Sequence, residues 1–240
     1  MRLKDISFRK GQVNLLYDDF LLSTAEQTGG PDILRFWESP RPFIVLGRTS
    51  SLIEDVKLDQ SGQDRIPVLR RSSGGGTVIQ GPGCLNYVLV LSKSAHPELN
   101  DLHRSYNNIL GRISRALSLT GLQVVFRPIS DLVVMPDEKK VSGNAQHRSR
   151  HYILHHGTLL YDFDLALLER YLRMPCAMPV YRRFRPHGEF VTNIPLTAEQ
   201  IKQSIRREFR LAHCQPDDVT PDEQERFRQW QERSAITVAV

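Results

Sequence analysis

The chain has 240 residues, 40% of them hydrophobic and 25% charged, enough for one sizeable core with a small appendage. The opening MRLKDISFRK lacks the apolar stretch of a secretion signal, and no apolar run is long enough to span a bilayer, so a cytoplasmic protein without a membrane partner is expected. The net charge of +5 is partly local, in His147-Arg148-Ser149-Arg150-His151 and Arg182-Arg183-Phe184-Arg185; no recognisable nucleic-acid module accompanies these clusters, so no nucleic acid beyond a nucleotide is expected.

In chain order, Asn14 reads as a helix cap with Asp18 and Asp19 near the positive helix start. Leu15, Leu16, Phe20, Leu21, Leu22 and Ala25 form its apolar side, and Gly29-Gly30 ends it. Residues 33–37 and 43–46 read as strands parted by Pro40 and Pro42, the second running into Gly47-Arg48. Ser51 and Glu54 have capping-box spacing. From 70 to 91 the sequence is RRSSGGGTVIQGPGCLNYVLVL: two arginines, a glycine run, a Gly-Pro-Gly turn and a buried strand. Leu102, Tyr106, Ile109, Leu110, Ile113, Ala116 and Leu117 lie on one helical stripe that Gly121 closes. Residues 123–126, 131–135, 140–146 and 152–160 read as strands with short turns. Strands in succession flanked by few helices indicate an α+β fold.

Residues 165–172 read as a helix, followed by an irregular segment with Pro175, Pro179 and Pro186. Thr197 with Gln200, and Thr220 with Glu223 and Pro221, are two more capping boxes. The expected division is a catalytic domain over 1–195 and a helical appendage over 196–240. Cys84, Cys176 and Cys214 are odd in number and widely spaced, which fits reduced thiols and no metal spacing.

Three glycines in a row are tolerable where the backbone approaches a ligand or takes positive φ. Their amides, with Arg70 and Arg71 beside them, would make a concave donor surface for a phosphate or carboxylate. Lys140 opens a strand that reaches Gly143, and its compact ammonium suits developing negative charge. His155 and His156 are adjacent on a strand and so face opposite sides.

The ordered blocks RRSSGGG, Asn86, Asp131, KVSGNAQ and HHGTLL resemble the lipoate–protein ligase family, which belongs with biotin–protein ligases and octanoyl transferases. The resemblance covers roughly the first four-fifths of the chain. It implies a class II biotin/lipoate ligase-like fold, a mixed and largely antiparallel sheet flanked by helices, with a short helical C-terminal tail here. It implies ATP-dependent attachment of lipoate, or a similar acid such as octanoate, to a lysine of a lipoyl-domain acceptor through an acyl-adenylate, with Mg2+. Lys140 would contact the α-phosphate and acyl oxygen, and Asp131 would orient the incoming amine or position nucleotide and metal. Arg71, Ser73, Gly74, Gly75, Gly76 and Thr77 would line the adenylate site from the glycine block. Val141, Ser142, Gly143 and Ala145 would do so from KVSGNAQ, and His156, Gly157 and Thr158 from HHGTLL. Asn86 would hold Mg2+ or the phosphate.

The chain departs from the family at His147, where a basic residue is usual. Its tail is also short, which leaves room for a separate accessory polypeptide. Cys176, in Met-Pro-Cys-Ala-Met-Pro, lies broadly where related octanoyl transferases carry a nucleophile. An ATP-independent transferase is therefore one alternative, and a non-catalytic acyl- or nucleotide-binding protein of the same fold is another.

Overall fold

The computed structural model describes residues 1–233. Ten strands are present: β1 (Arg2–Asp5), β2 (Ile33–Trp37), β3 (Phe43–Leu46), β4 (Val68–Arg70), β5 (Val78–Gln80), β6 (Cys84–Ser92), β7 (Val124–Arg127), β8 (Asp131–Val134), β9 (Lys139–Arg148) and β10 (Tyr152–Leu160). The helices are α1 (Gly11–Thr28), α2 (Leu52–Asp55), α3 (Leu58–Gln63), α4 (Leu102–Ser118), α5 (Ala166–Tyr171), α6 (His187–Phe190), α7 (Ala198–Glu208) and α8 (Pro221–Arg233).

Seven strands form one sheet in the order β1-β2-β6-β10-β9-β8-β7, and three form a smaller one, β4-β3-β5. The large sheet is antiparallel except for the β1–β2 pair, and β3 pairs with β4 in parallel. The fold is α+β, as its strand succession implied.

Strand alternation sorts the core into layers. Leu34, Phe36, Leu85, Leu89 and Leu159 point to one face of the large sheet, where they meet Ile109, Leu110, Ile113 and Leu117 of α4 and Ile201 and Ile205 of α7. Trp37, Val88, Val90 and Leu154 point to the other face, against α1 and the near side of the small sheet through Phe43 and Val45. The small sheet's far side, Ile44, Leu46 and Ile79, packs on Leu168, Tyr171 and Phe190. The glycine-rich chain between β4 and β5 is thereby held over the second face of the large sheet.

The start of α1 differs from its sequence reading. The helix begins at Gly11, and no side chain caps it. Asn14 is buried inside it, where its carboxamide accepts from the Phe8 N–H and donates to the Phe8 carbonyl, both within 2.9 Å. Asp18 and Asp19 are accordingly mid-helix. The reason is Arg35, a fully buried cation on β2 that donates to Asn14 Oδ1 at 2.8 Å and pairs with Asp18. A buried charge needs polar partners at close range, and α1 supplies them from positions that look like caps in sequence. Gly29 ends the helix in the left-handed region at φ 67°.

The Thr197–Gln200 box is reciprocal, as its spacing predicts. The Thr220–Glu223 box is only half formed. Thr220 Oγ1 accepts from the Glu223 N–H at 3.1 Å, but the Glu223 carboxylate turns away. It accepts from Lys4 Nζ at 2.9 Å and from the Tyr17 hydroxyl. Lys4 is fully buried on β1, so the pair compensates a charge the core would otherwise leave bare. Phe227 completes the contact, edge-on to Tyr17 with ring centroids 5.1 Å apart.

Glu223→Ala should therefore destabilise the chain by about 3 kcal/mol, the range for breaking a buried pair. Joint replacement of Lys4 by Met and Glu223 by Leu should recover most of that loss. Urea unfolding followed by circular dichroism checks both.

Candidate active site

The register of the large sheet lays a row of site residues straight across five strands. Trp37 pairs with Asn86, Asn86 with Thr158, Thr158 with Gly143, and Gly143 with Asp131. Directly paired residues point to the same face. The adjacent row carries Val88, His156 and Ala145. Both rows look toward the glycine-rich chain.

At the β8 end, Asp131 Oδ1 and Lys140 Nζ are 2.8 Å apart. Lys140 gets there because β9 carries an irregularity opposite Leu132 and Val133 that keeps its side chain on the Asp131 face. The lysine then lies across Gly143, where an added Cβ would stand 3.2 Å from Nζ. Its ammonium has three donors and faces Asp131 across an ion pair, which leaves donors for the oxygens of a ligand.

The glycine loop is gripped from within. Arg71 is buried and donates to the carbonyls of Gly74 and Gly76 at 2.7 and 2.8 Å and to Ser73 Oγ at 3.0 Å. Arg70 donates to the carbonyls of Gly47 and Ser50, each at 2.8 Å. The two guanidinium groups therefore shape the loop from beside and beneath its glycines. Burial lowers the Arg71 pKa to about 10, so it stays charged at neutral pH, and the held loop carries positive charge with it. Thr77 Oγ1 ties the loop's end to Asp55 of α2 at 2.5 Å.

Gly75 takes φ +85°, and a Cβ there would meet Arg71 Nη2 at 3.0 Å and Ala145 Cβ at 3.6 Å. Across from it, a Cβ on Gly47 would lie 1.9 Å from the Gly75 carbonyl oxygen. These two glycines let loop, sheet and the turn after β3 converge.

His156 Nε2 and Ser73 Oγ are 2.6 Å apart. Removal from water, reinforced by Arg71, holds the His156 pKa well below its ordinary value. Ser73 Oγ accepts from Arg71 Nε and shares a hydrogen bond with the neutral ring at Nε2. His155 faces the other way, within reach of Gln146 and edge-on to Tyr106 of α4. Burial lowers its pKa to about 3.

Several expected site residues lie elsewhere. Val141 is in the α4-side core, and the Ser142 hydroxyl accepts from Asn144 on that same side. Gly157 belongs there too, since a Cβ would lie 1.8 Å from Asn144 Oδ1. Alternation puts Ser142 and Gly157 behind the sheet, and the irregularity in β9 turns Val141 there as well. Arg148 also turns away and donates to the Leu99 and Asn100 carbonyls. His147 does face the loop, with Nδ1 2.9 Å from Ser72 Oγ, which in turn donates to Asp19. Cys176 is exposed, and among the described residues it has no hydrogen-bond partner.

Asn86 is not presented to a cation. Its Oδ1 accepts from Thr158 at 3.2 Å and its Nδ2 donates to Gln80 at 2.8 Å. Among the described residues no three His, Cys, Asp or Glu side chains are grouped to hold a metal. The donor set does not fit a preformed magnesium site, and any magnesium would arrive with the phosphates of a nucleotide.

Sequence reasoning passed over Tyr181, whose hydroxyl donates to Asp131 Oδ2 at 2.5 Å. It lies in a proline-rich connection with no periodicity to mark it. It passed over Gln80 for the same reason of brevity, β5 being three residues long.

Residues 10–210 match the model of the lipoyl protein ligase A/B catalytic domain. The chain belongs to that family. It is 28% identical over 181 residues to a "probable lipoate-protein ligase A" of Mycoplasma pneumoniae, covering 75% of this chain and 51% of the relative. It is 30% identical over 208 residues to the lipoate-protein ligase LplJ of Bacillus subtilis, covering 79% and 61%. It is 24% identical to the octanoyltransferase LipM of Oceanobacillus iheyensis, covering 82% and 78%. The chain thus spans about half the length of the first of these relatives. A lipoate-protein ligase A bound with ATP superposes with a TM-score of 0.80 at 23% identity, covering 98% of this chain and 96% of that one. The bi-partite lipoate protein ligase of Thermoplasma acidophilum gives 0.77 at 23% identity, covering 98% and 93%. These two likenesses establish the fold. No described helix is long and apolar enough to cross a membrane.

Two outcomes follow from this geometry. Gly75→Val puts a β-branched side chain at positive φ and against Arg71; titration calorimetry should show ligand affinity lost while the melting temperature moves by only a few degrees. Separately, the folded-state pKa of His155 is depressed, so the unfolded chain takes up the proton first as pH falls. The stability this residue supplies is complete above about 6.5 and declines toward about 3, by about 1.4 kcal/mol per pH unit. Urea unfolding between pH 7.5 and 5 should show a shallower acid loss in His155→Gln than in the native chain.

Proposed function

We propose that this chain catalyses ATP-dependent attachment of lipoate, or a similar medium-chain acid, to a lysine of an acceptor domain through an acyl-adenylate. The observation that carries the reading is the pairing of Lys140 with Asp131 on the sheet face that the Arg71-held glycine loop covers. The lipoate carboxylate attacks the α-phosphorus of ATP and pyrophosphate leaves. The acceptor amine then attacks the acyl carbon, AMP leaves, and the amine loses a proton.

Each step builds negative charge on oxygen, first on the α-phosphate and then at the acyl carbonyl. Lys140 offers its ammonium donors to those oxygens, held in place by the Asp131 charge. Preorganised donors of this kind stabilise transition states because they need no reorganisation as charge develops. The loop amides and the nearby Arg71 charge add positive potential. Loop and sheet together keep water from the mixed anhydride. Asp131 is also the nearest carboxylate to Lys140 and suits the role of accepting the acceptor amine's proton. Magnesium enters as the ATP complex.

The archaeal neighbour is described as a bi-partite ligase with its E2 lipoyl domain. We infer a lipoyl domain as the acceptor here as well, and a separate accessory polypeptide as in the bi-partite neighbour. The exposed Cys176 and the octanoyltransferase relative support a second reading, an ATP-independent acyl transfer through that thiol.

Mass spectrometry of an acceptor lipoyl domain incubated with the chain, lipoate and Mg-ATP separates the readings. Lys140→Ala should lower turnover by roughly 10²–10³-fold, the scale for one electrostatic donor, and Cys176→Ser should keep most of it. ATP-independent turnover with a hydroxylamine-sensitive acyl group on Cys176 would establish the transferase instead. Binding of lipoate or ATP with no product under any condition, accessory polypeptide included, would leave a binding protein.

A further inference from the structure

Residues 180–192 touch the candidate site at two points. The Thr192 N–H donates to the Lys140 carbonyl at 2.9 Å. The Tyr181 hydroxyl donates to Asp131 Oδ2 at 2.5 Å, while Asp131 Oδ1 holds Lys140 Nζ at 2.8 Å. The two oxygens of one carboxylate are thus held by different side chains.

Tyr181 is itself fixed from behind. Its ring packs on buried Phe190 with centroids 5.4 Å apart. The Arg182 and Arg185 guanidinium groups lie over Phe190 at 4.6 and 5.3 Å from its centroid. Arg185 also donates to the carbonyls of Asp137 and Glu138 at 2.9 and 3.1 Å, which ties the segment to the turn before β9. Burial, then the Asp131 charge, raises the Tyr181 pKa well above the phenol range. The hydroxyl therefore keeps its proton and remains a donor.

A carboxylate's terminal torsion is broad, and a lysine alone is a flexible partner. One contact between them leaves both free to drift together, whereas a second anchor on the carboxylate removes that freedom. We propose that Tyr181 is a positioning residue of the reaction, its phenol fixing the Asp131 carboxylate so that Oδ1 keeps the Lys140 ammonium over Gly143. The role rests on the adenylate-forming reading of the site.

Tyr181→Phe removes the hydroxyl and keeps the ring on Phe190. The variant should lose about tenfold in kcat while the KM values for lipoate and ATP stay within about twofold, the pattern of an interaction that matters in the transition state. Asp131→Asn should lose at least as much, and the double variant no more than Asp131→Asn alone, since the phenol acts through the carboxylate. Losses that multiply in the double variant would overturn the proposal. A second measurement needs no turnover. Trace labelling of the substrate-free protein with acetic anhydride, read by peptide mass spectrometry, should show Lys140 reacting several-fold faster in Tyr181→Phe than in the native chain, with Lys139 unchanged. Equal Lys140 labelling would refute the positioning chain. If the native protein makes no lipoylated product, the reaction reading falls, and the labelling ratio still decides whether Tyr181 holds Asp131 and Lys140.

Discussion

Nine residues of β6 pair with nine of β10, from Ser92 opposite Tyr152 to Cys84 opposite Leu160. A slip of one residue would exchange every side chain between the two faces. The α4 side accepts leucine and isoleucine from those strands, and the other side accepts the α1 core and the candidate site. The hydrophobic layers therefore lock the register, and the register aligns Asn86, Thr158, Gly143 and Asp131. Core packing thus determines which chemical groups face the glycine loop.

The loop is the second half of that arrangement. It is built around a buried cation, and the carbonyls of Gly74 and Gly76 converge on Arg71. The backbone oxygens point inward at the guanidinium, which frees the outward side of the loop for amides. Burial, reinforced by the same charge, keeps His156 neutral beside Ser73. The shape and the charge of this corner both draw on one arginine.

Much of this was legible in the sequence. β10 occupies the residues its pattern marks, 152–160, and α4 the stripe ending before Gly121. Apolar periodicity is local, and local signals survive in any context. The opposite facing of His155 and His156 followed from alternation alone. What was missed depends on distant partners. β1, Arg-Leu-Lys-Asp, has no apolar alternation to mark it, because Lys4 is buried against a carboxylate 219 positions away. Asn14 resembles a cap until Arg35 claims its carboxamide. Val141, Ser142 and Gly157 belong to motif blocks, yet a motif does not say which of its residues point backward. Tyr181 is invisible without the fold, since only the packing of Phe190 brings its hydroxyl to Asp131.

The pairing of Lys4 with Glu223 also sets an order of events during synthesis. Lys4 belongs to the edge strand of the large sheet, and its counter-charge is made 219 residues after it. At about 5–20 residues per second, ribosomes need on the order of ten seconds or more to bridge that gap. Until then β1 cannot settle without leaving an ammonium unpaired in an apolar setting. The sheet from β2 to β7 can assemble earlier around β6 and β10, and β1 closes the edge when α8 arrives. The docking of β1 thus waits on α8, behind the strands made between them.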